Sequence, residues 1–431
     1  MKKKLSLTQK IFIGIGLGIV AGLGIQATPG GFIRDELLLH GIIRFLGTGF
    51  IRSIQMLVVP LVFISLINGS ASMGDIKKLG RIGGKTVGFF LGTTMFALIL
   101  ALGVGLVINP GVGLDLSNVV TAEPVIGEAT GIVDTFLNMI PTNPMSALAH
   151  GQMLPIIIFA ILIGVSMSML GEKVEPLRTL VKNLDEVMMK LVDLSMKLAP
   201  IGVFGLITTT FATTGFDAII PLIKYMGAIF LALALHAFVV YGGLLKVMTG
   251  LKLKPFFKQF GSMAAVPFST ASSNATLPVT INKMEEMGID SNIAAFTLPL
   301  GATVNMDGTA IKQGIACIFI AQIYGIELGM SALLTIVLTA TLASIGTAGV
   351  PGVGLITLTM VLTSVGLPVE GVGIIMGIDR LLDMARTTVN VMGDCVVTTI
   401  VAKSEGGLDL DKYYRSDKPA KAVNAKSKAL G

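Results

Sequence analysis

The sequence predicts an all-α, polytopic membrane protein, and three observations carry that prediction. Apolar blocks recur from Ile11 to the region of Val401, with a mean hydropathy of +0.83. Hydrophobic residues make up 53% of the 431 and charged residues 13%, against about 25% in a soluble domain. Glycine is abundant, at 52 residues, as expected where membrane helices pack closely or break. This profile excludes a secreted disulfide scaffold, a disordered chain and an ordinary soluble enzyme. Tryptophan is absent, so the aromatic belt is thin. Cys317 and Cys395 lie in apolar surroundings and offer neither metal-ligand spacing nor a disulfide framework. Three scattered histidines leave little room for histidine catalysis. The net charge of +6 invites a nucleic-acid reading, but the basic residues sit in short loops between apolar runs. That pattern sets membrane orientation.

The chain opens Met1-Lys2-Lys3-Lys4 and turns apolar from Ile11. A signal peptide looks similar, but the topology of the later membrane spans needs this one. Six apolar stretches fill the N-terminal half, roughly 11–28, 40–69, 86–108, 131–171, 186–214 and 220–247. The fourth is too long for one straight span, and Pro141, Pro144 and Pro155 are placed to break it. Lys77, Lys78, Arg81 and Lys85 come after the second stretch; Lys246, Lys252, Lys254 and Lys258 come at and after the end of the sixth. Between Thr86 and Glu172 there is neither Lys nor Arg, and Asp115, Glu123, Glu128 and Asp134 lie there instead. Positive charge therefore puts both termini in the cytoplasm and the acidic 109–134 segment outside. The polar, Lys-rich 406–431 segment reads as a disordered tail.

After Lys258 small polar residues interrupt the apolar stretches. One interruption runs Ser269-Thr270-Ala271-Ser272-Ser273-Asn274-Ala275-Thr276-Leu277-Pro278, and the other Ala343-Ser344-Ile345-Gly346-Thr347-Ala348-Gly349-Val350-Pro351-Gly352. Each lies between flanks too short for two full spans. A pair of re-entrant hairpins fits, because open backbone at membrane depth survives only when buried in protein or lining a wet cavity. Two Gly/Ser loops at the membrane surface are the plainer alternative. After the first interruption comes Gly301-Ala302-Thr303-Val304-Asn305-Met306-Asp307-Gly308-Thr309. Asn and Asp flanked by two glycines suggest an unwound helix whose carbonyls face a cation. An Asn–Asp pair gluing helices together would have the same sequence.

After the second interruption a long helix carries Asp379, Asp383, Arg386, Asn390 and Asp394. At about 100° per residue these five share an arc of about 80°, with Thr387 at its edge. One stripe with both charge signs in an apolar helix is expensive unless it faces a site, although an Asp383–Arg386 ion pair would be a structural use for it. A guanidinium offers a planar fork for a carboxylate, and a nearby carboxylate can receive an ammonium. Asn390 adds amide donors and an acceptor. A ligand with an amine and two carboxylates, an acidic amino acid, fits. The remaining hard oxygens of Thr303, Asn305, Asp307 and Asp394 suit an alkali cation.

These segments resemble the dicarboxylate/amino acid:cation symporter family, which includes the excitatory glutamate transporters and archaeal aspartate transporters. The resemblance covers nearly the whole chain. It takes in Met56-Leu57-Val58-Val59-Pro60-Leu61-Val62-Phe63, Pro141-Thr142-Asn143-Pro144, the serine-rich first hairpin, Asn305-Met306-Asp307-Gly308-Thr309, Gly346-Thr347-Ala348-Gly349-Val350-Pro351 and the Asp383-to-Asp394 helix, all in order. It implies eight transmembrane helices and two re-entrant helical hairpins with inverted repeats, assembled as a homotrimer in the plasma membrane and working as an elevator. Residues 1–85 and 111–215 would form the scaffold, as helices 1, 2, 4 and 5. Residues 86–110 (helix 3) and 216–405 (helices 6 to 8 and both hairpins) would move, with the second hairpin tip as the outer gate.

The resemblance also implies roles. Asp383 would receive the substrate amine and Arg386 its side-chain carboxylate. Asn390 with the backbone around Ser272 and Ser273 would hold the main carboxylate, and Thr309, Thr387, Val350 and Gly354 would complete the pocket. One sodium site would take Asp394 with carbonyls of Gly301, Asn305 and Asn390. A second would take Asp307, Asn305, Thr93, Thr94 and the Phe90 carbonyl. Backbone at Thr303, Met306, Ser344, Ile345 and Thr347 would make a third. The family's usual arginine near the pocket, in the first hairpin or after the amine-binding aspartate, is here Ala271 or Met384, with Arg380 one turn earlier.

The expected function is sodium-coupled uptake of L-glutamate and/or L-aspartate, without a cofactor. A proton-coupled carrier or a cystine carrier of the same family, or a channel-like anion conductor, are the alternatives. An amine-free C4-dicarboxylate would leave Asp383 without a counter-ion, and a neutral amino acid would leave Arg386 unpaired. A hydrolase has no support: there is no Gly-x-Ser-x-Gly elbow, no His-Glu-x-x-His and no histidine on the polar stripe.

Overall fold

The computed structural model describes residues 7–72, 81–114, 137, 140–215, 219–345 and 353–414. These are almost wholly helical. Among the described residues, five helical stretches are long and apolar enough to cross a membrane: Gln9–Gln26, Ile33–Ala71, Arg81–Ile108, Leu154–Met196 and Ile219–Thr249. Three shorter apolar helices, Ala199–Thr213, Met330–Ser344 and Val353–Ser364, join them. The chain is thus a polytopic membrane protein.

Helix α1 (Leu7–Gln26) lies along α7 (Ala199–Thr214), and the sequence explains why. Gly14, Gly18 and Gly22 repeat every four residues on one face. A Cβ on Gly14 would stand 2.5 Å from the Pro200 carbonyl oxygen, and one on Gly22 2.7 Å from the Phe211 Cβ. Small residues at this spacing let two backbones approach without a hydrophobic driving force. Helix α2 (Arg44–Ser72) continues a π-helical Ile33–Ile43 and packs on α5 (Met153–Leu170) and α6 (Glu175–Met196). Ser65 and Asn68 of α2 donate to the two oxygens of Asp185 on α6, at 2.5 and 3.0 Å.

The stretches read at 131–171 and 186–214 both divide. Short α4 (Pro144–His150) starts on Pro144, capped by Asn143, and ends at Gly151 in the left-handed region with φ 66°. Helix α5 starts two residues later. Helices α6 and α7 are parted at Lys197-Leu198, where Pro200 in the first turn of α7 lacks the N–H needed to continue α6. Helix α6 is amphipathic. Its exposed Leu177, Leu180, Leu184, Val187, Leu191 and Leu194 alternate three and four residues apart, opposite Lys182, Glu186 and Lys190. The sixth stretch is continuous from α8 (Ile219–Ala234) through a π-helical Leu235–Val240 into α9 (Tyr241–Thr249).

The first interruption is a helix–turn–helix. Helices α10 (Leu253–Met263) and α11 (Ala265–Thr270) lead to Ala271 at φ 50°, and Ser272 then caps α12 (Ser273–Glu286) by accepting from the Ala275 N–H at 3.2 Å. Ala271, Ser272 and Ser273 are buried, so this tip is no surface loop. Helix α13 (Ser291–Val304) stops at Asn305, whose backbone is extended, and α14 (Asp307–Ile323) starts at Asp307: the unwound joint expected there exists. Helices α15 (Met330–Ser344) and α16 (Val353–Ser364) pack together, and the tip between them, with Thr347 and Val350, lies outside the described residues. The long α17 (Val372–Ser404) and short α18 (Leu410–Tyr413) close the order; the tail expected to be disordered from 406 is instead folded through 414, where the Asp409 N–H donates to the Gly288 carbonyl and Tyr413 is fully buried. Helices α3 (Arg81–Ile108), α8, α13 and α14 surround α17, and the α11 and α12 arms pack on it.

Candidate functional site

The site forms where the α13–α14 joint meets α17. Two glycines permit the approach. A Cβ on Gly308 would collide with the Arg386 carbonyl oxygen, and one on Gly301 would stand 2.5 Å from Asp394 Oδ1. All six polar residues of the α17 stripe are buried: Asp379, Asp383, Arg386, Thr387, Asn390 and Asp394.

Asp394 and Asn305 form one centre. The Asn305 amide donates to Asp394 Oδ1 at 2.9 Å and to the Asn390 carbonyl at 3.0 Å. Asn305 Oδ1 is buried with no hydrogen-bond partner among the described residues. A carboxylate, a main-chain carbonyl and an unpaired amide oxygen make a hard-oxygen set, and its chemistry fits an alkali cation.

Asp307 forms a second centre. Its Oδ1 accepts from Thr94 at 2.5 Å, and its Oδ2 from Tyr241 at 2.7 Å and from His236 Nε2 at 2.9 Å. The carboxylate partner assigns the Nε2–H tautomer to His236. Thr93 and Thr94 also turn their hydroxyls to the Phe90 carbonyl, at 3.1 and 2.8 Å. Of the second expected set, Phe90, Thr93, Thr94 and Asp307 lie together, whereas the Asn305 amide is bonded to Asp394 and the Asn390 carbonyl. His236 and Tyr241 belong to this second centre, and sequence reasoning missed both. The π-helical turn that carries His236 is the local feature that aims it.

The third centre is the stripe's charged end. Arg386 Nε donates to Asp383 Oδ1 at 2.6 Å, with Nη2 against the same oxygen, and Nη1 donates to Thr309 Oγ1 at 2.6 Å. Thr387 donates to the Asp383 carbonyl at 2.8 Å. Asn390 Oδ1 accepts from the Gly308 N–H at 2.7 Å, and its amide reaches Thr309 Oγ1 and Met306 Sδ, each at 3.4 Å. Gly354, on the first turn of α16, faces the guanidinium: a Cβ there would stand 3.1 Å from Arg386 Nη2. Thr309, Gly354, Asp383, Arg386, Thr387 and Asn390 thus come together. Ser272 and Ser273 stand at the hairpin tip that packs on α17. Of the residues expected at a backbone-lined site, Thr303 and Met306 flank the joint and Ser344 and Ile345 end α15. The hydroxyls of Thr303 and Ser344 donate to carbonyls of their own helices, Leu300 at 3.0 Å and Thr341 at 2.7 Å.

Two basic residues alter the charge reading. Arg380 Nη1 lies 3.6 Å from Asp383 Oδ2. Asp383 therefore has cationic partners without a ligand amine, contrary to the expectation that an amine-free dicarboxylate would leave it without a counter-ion. Lys312 of α14, fully buried, donates to Asp379 Oδ1 at 2.6 Å. A lone lysine in an apolar helix, three residues after Thr309, was the signal available in the sequence.

Residues 7–404 match the model of the sodium:dicarboxylate symporter family. The chain is 37% identical to a proton/sodium-glutamate symport protein of Bacillus caldotenax over 95% of its own length and 97% of the relative. It is 39% identical to a proton/glutamate-aspartate symporter of Escherichia coli K12, over 95% of each. A C4-dicarboxylate transport protein of Laribacter hongkongensis is 35% identical over 85% of each. A match of this extent, over a chain whose broken helix and charged stripe meet as described, makes it a member of the sodium:dicarboxylate symporter family.

Proposed function

We propose that this protein carries acidic amino acids, L-glutamate and/or L-aspartate, into the cell together with cations. The observation that carries the reading is the buried Asp383–Arg386 pair, beside Thr309 and Asn390. An acidic amino acid replaces both halves of that pair. Its ammonium takes the place of the guanidinium on Asp383, and its side-chain carboxylate takes the place of Asp383 on the guanidinium fork. The glutamate and glutamate-aspartate symporters among the relatives support the same substrates. Arg380 supports a second reading, in which amine-free dicarboxylates also enter, as the name of a C4-dicarboxylate relative suggests.

Sodium is the coupling ion we favour, bound as cargo. Asp394, the unpaired Asn305 oxygen and the Asn390 carbonyl support one site; Asp307 with Thr93, Thr94 and Phe90 supports another. A buried carboxylate needs a partner charge, and neither Asp394 nor Asp307 has a Lys or Arg bonded to it among the described residues. Val350 and Thr347 enter this reading by motif alone.

The transport unit in this proposal is α3 with α8 to α17, which move together against α1, α2 and α4 to α7. The glycine-lined α1–α7 contact and the Asp185 bonds support a rigid scaffold. The exposed leucine row on α6 has the three-four spacing of a helix–helix seam and supports a homotrimer in the plasma membrane. Basic loops support cytoplasmic termini. The test is uptake into proteoliposomes with labelled aspartate, glutamate and succinate under separate sodium and proton gradients. Accumulation of acidic amino acids driven by sodium is expected; saturable uptake of succinate alone, or movement only down its own gradient, overturns the reading.

A further inference from the structure

Lys312 has an unusual position for a lysine. Its side chain is fully buried, and its ammonium has three donors. One goes to Asp379 Oδ1 at 2.6 Å, and among the described residues no second acceptor takes either of the others. Unused donors on a buried charge are costly and mark where an acceptor is required.

The direction of that ammonium is set by Gly354. A methyl at Gly354 would lie 3.1 Å from Arg386 Nη2 and 3.3 Å from Lys312 Nζ. The guanidinium and the ammonium therefore face one spot from two helices, α17 and α14, and a side chain at Gly354 on α16 would crowd both. Arg386 spends Nε and one N–H of Nη2 on Asp383 and one N–H of Nη1 on Thr309, which leaves one hydrogen on each of Nη1 and Nη2 to give. Gln313, beside Lys312, donates to Thr357 at 2.8 Å and fixes α14 against α16. Two cationic donors turned to one spot are the partners a carboxylate takes, one for each oxygen.

We propose that Lys312 is a specificity-determining residue, the second cation on the substrate's side-chain carboxylate, with Asp379 holding its ammonium in reach. This rests on the acidic-substrate reading and deepens it. Arg386 then orients the carboxylate through its plane, and Lys312 adds a point charge across from it. Neutral amino acids meet two cations instead of one and are excluded more strongly. Asp379 holds Lys312 back from the shared spot when no substrate is bound.

A buried ion pair that merely joins α14 to α17 predicts a different outcome, so the test uses three variants: Lys312→Gln, Asp379→Asn and the double variant, each with thermal unfolding and direct aspartate, glutamate and serine binding. Lys312→Gln is expected to weaken aspartate and glutamate binding about ten- to a hundredfold, the range for losing a hydrogen bond to a charge, with serine competition unchanged or improved. The double variant removes both charges. It is expected to recover the melting temperature while acid affinity stays at least tenfold down. Recovery of both would make Lys312 a structural partner only and overturn the proposal, as would Lys312→Gln binding aspartate within about twofold of the parent. If the parent protein itself takes up no acidic amino acid, it is the functional reading that has failed.

Discussion

Arg386 Nε donates to Asp383 Oδ1 at 2.6 Å, so these two opposite charges neutralise each other within one helical turn. Breaking a buried pair by removing one partner costs about 3–5 kcal/mol. Arg386→Cys is therefore expected to weaken aspartate and glutamate binding by roughly a hundred- to several-thousandfold. Serine and alanine gain access, since they no longer leave a guanidinium unpaired. Arg386→Lys does not restore affinity, because an ammonium lacks the planar fork. Competition by aspartate, glutamate and serine checks this, and aspartate binding within about threefold of the parent counts against it.

Asp394→Asn removes the charge from the centre where Asn305 and the Asn390 carbonyl meet. Coupled ligands act reciprocally on each other's binding. The variant is expected to need more sodium for half-maximal aspartate binding and to bind aspartate more weakly at any fixed sodium concentration. An unchanged sodium dependence removes Asp394 from the cation site.

Gly308→Ala and Gly84→Ala make a paired test of the approach between α14 and α17. A methyl at Gly308 collides with the Arg386 backbone, whereas one at Gly84 on α3 meets nothing within 4 Å. Overpacking costs about 1–3 kcal/mol, so Gly308→Ala is expected to lower the melting temperature and substrate affinity together. Gly84→Ala is expected to be neutral or to stabilise by up to about 1 kcal/mol, by lowering the entropy of the unfolded chain. Thermal unfolding of both decides it.

Glu405, just past the end of α17, binds the start of α3. Hydrogen bonds from Arg81 at 2.5 Å and from Lys85 at 2.6 Å, reinforced by their charge, hold its carboxyl down at about 2 against an ordinary 4.5. A lowered value means that the folded state prefers the charged form. The contact stabilises fully above pH 4.5 and fades as pH falls towards 2. The difference in melting temperature between the parent and Glu405→Gln is expected to be largest near neutrality, to shrink on acidification through that window, and to narrow in high salt.

The periodicity that marks the α17 stripe in the sequence also fixes which residues α17 buries. All five predicted positions are inside, because 100° per residue is a property of the helix and not of its surroundings. The broken helix at Asn305 was legible for a similar reason: Asn and Asp between glycines weaken the helix locally. What resisted was partnership across the chain. His236 and Tyr241 sit 71 and 66 residues from Asp307, and no local pattern links them. Lys312 and Asp379 are 67 residues apart. Helix boundaries failed where one stretch was read across a turn: the charges at Glu186, Lys190, Asp193 and Lys197 stop before Pro200, and that change with Pro200 marks where α6 gives way to α7.

Asn390 faces two ways. Its peptide carbonyl belongs to the Asp394–Asn305 centre, and its side chain belongs to the Thr309–Arg386 centre. A carrier wastes its gradient whenever ion and solute cross separately, a fault known as slip. Here one residue, clamped from both sides by Asn305 and Gly308, belongs to both binding events of the proposed symport. A small rotation of α17 at this point would misplace the ion's oxygen and the solute's amide in a single movement. Tight stoichiometry then needs no relay across the protein: it comes from a shared atom set too small to be half-formed.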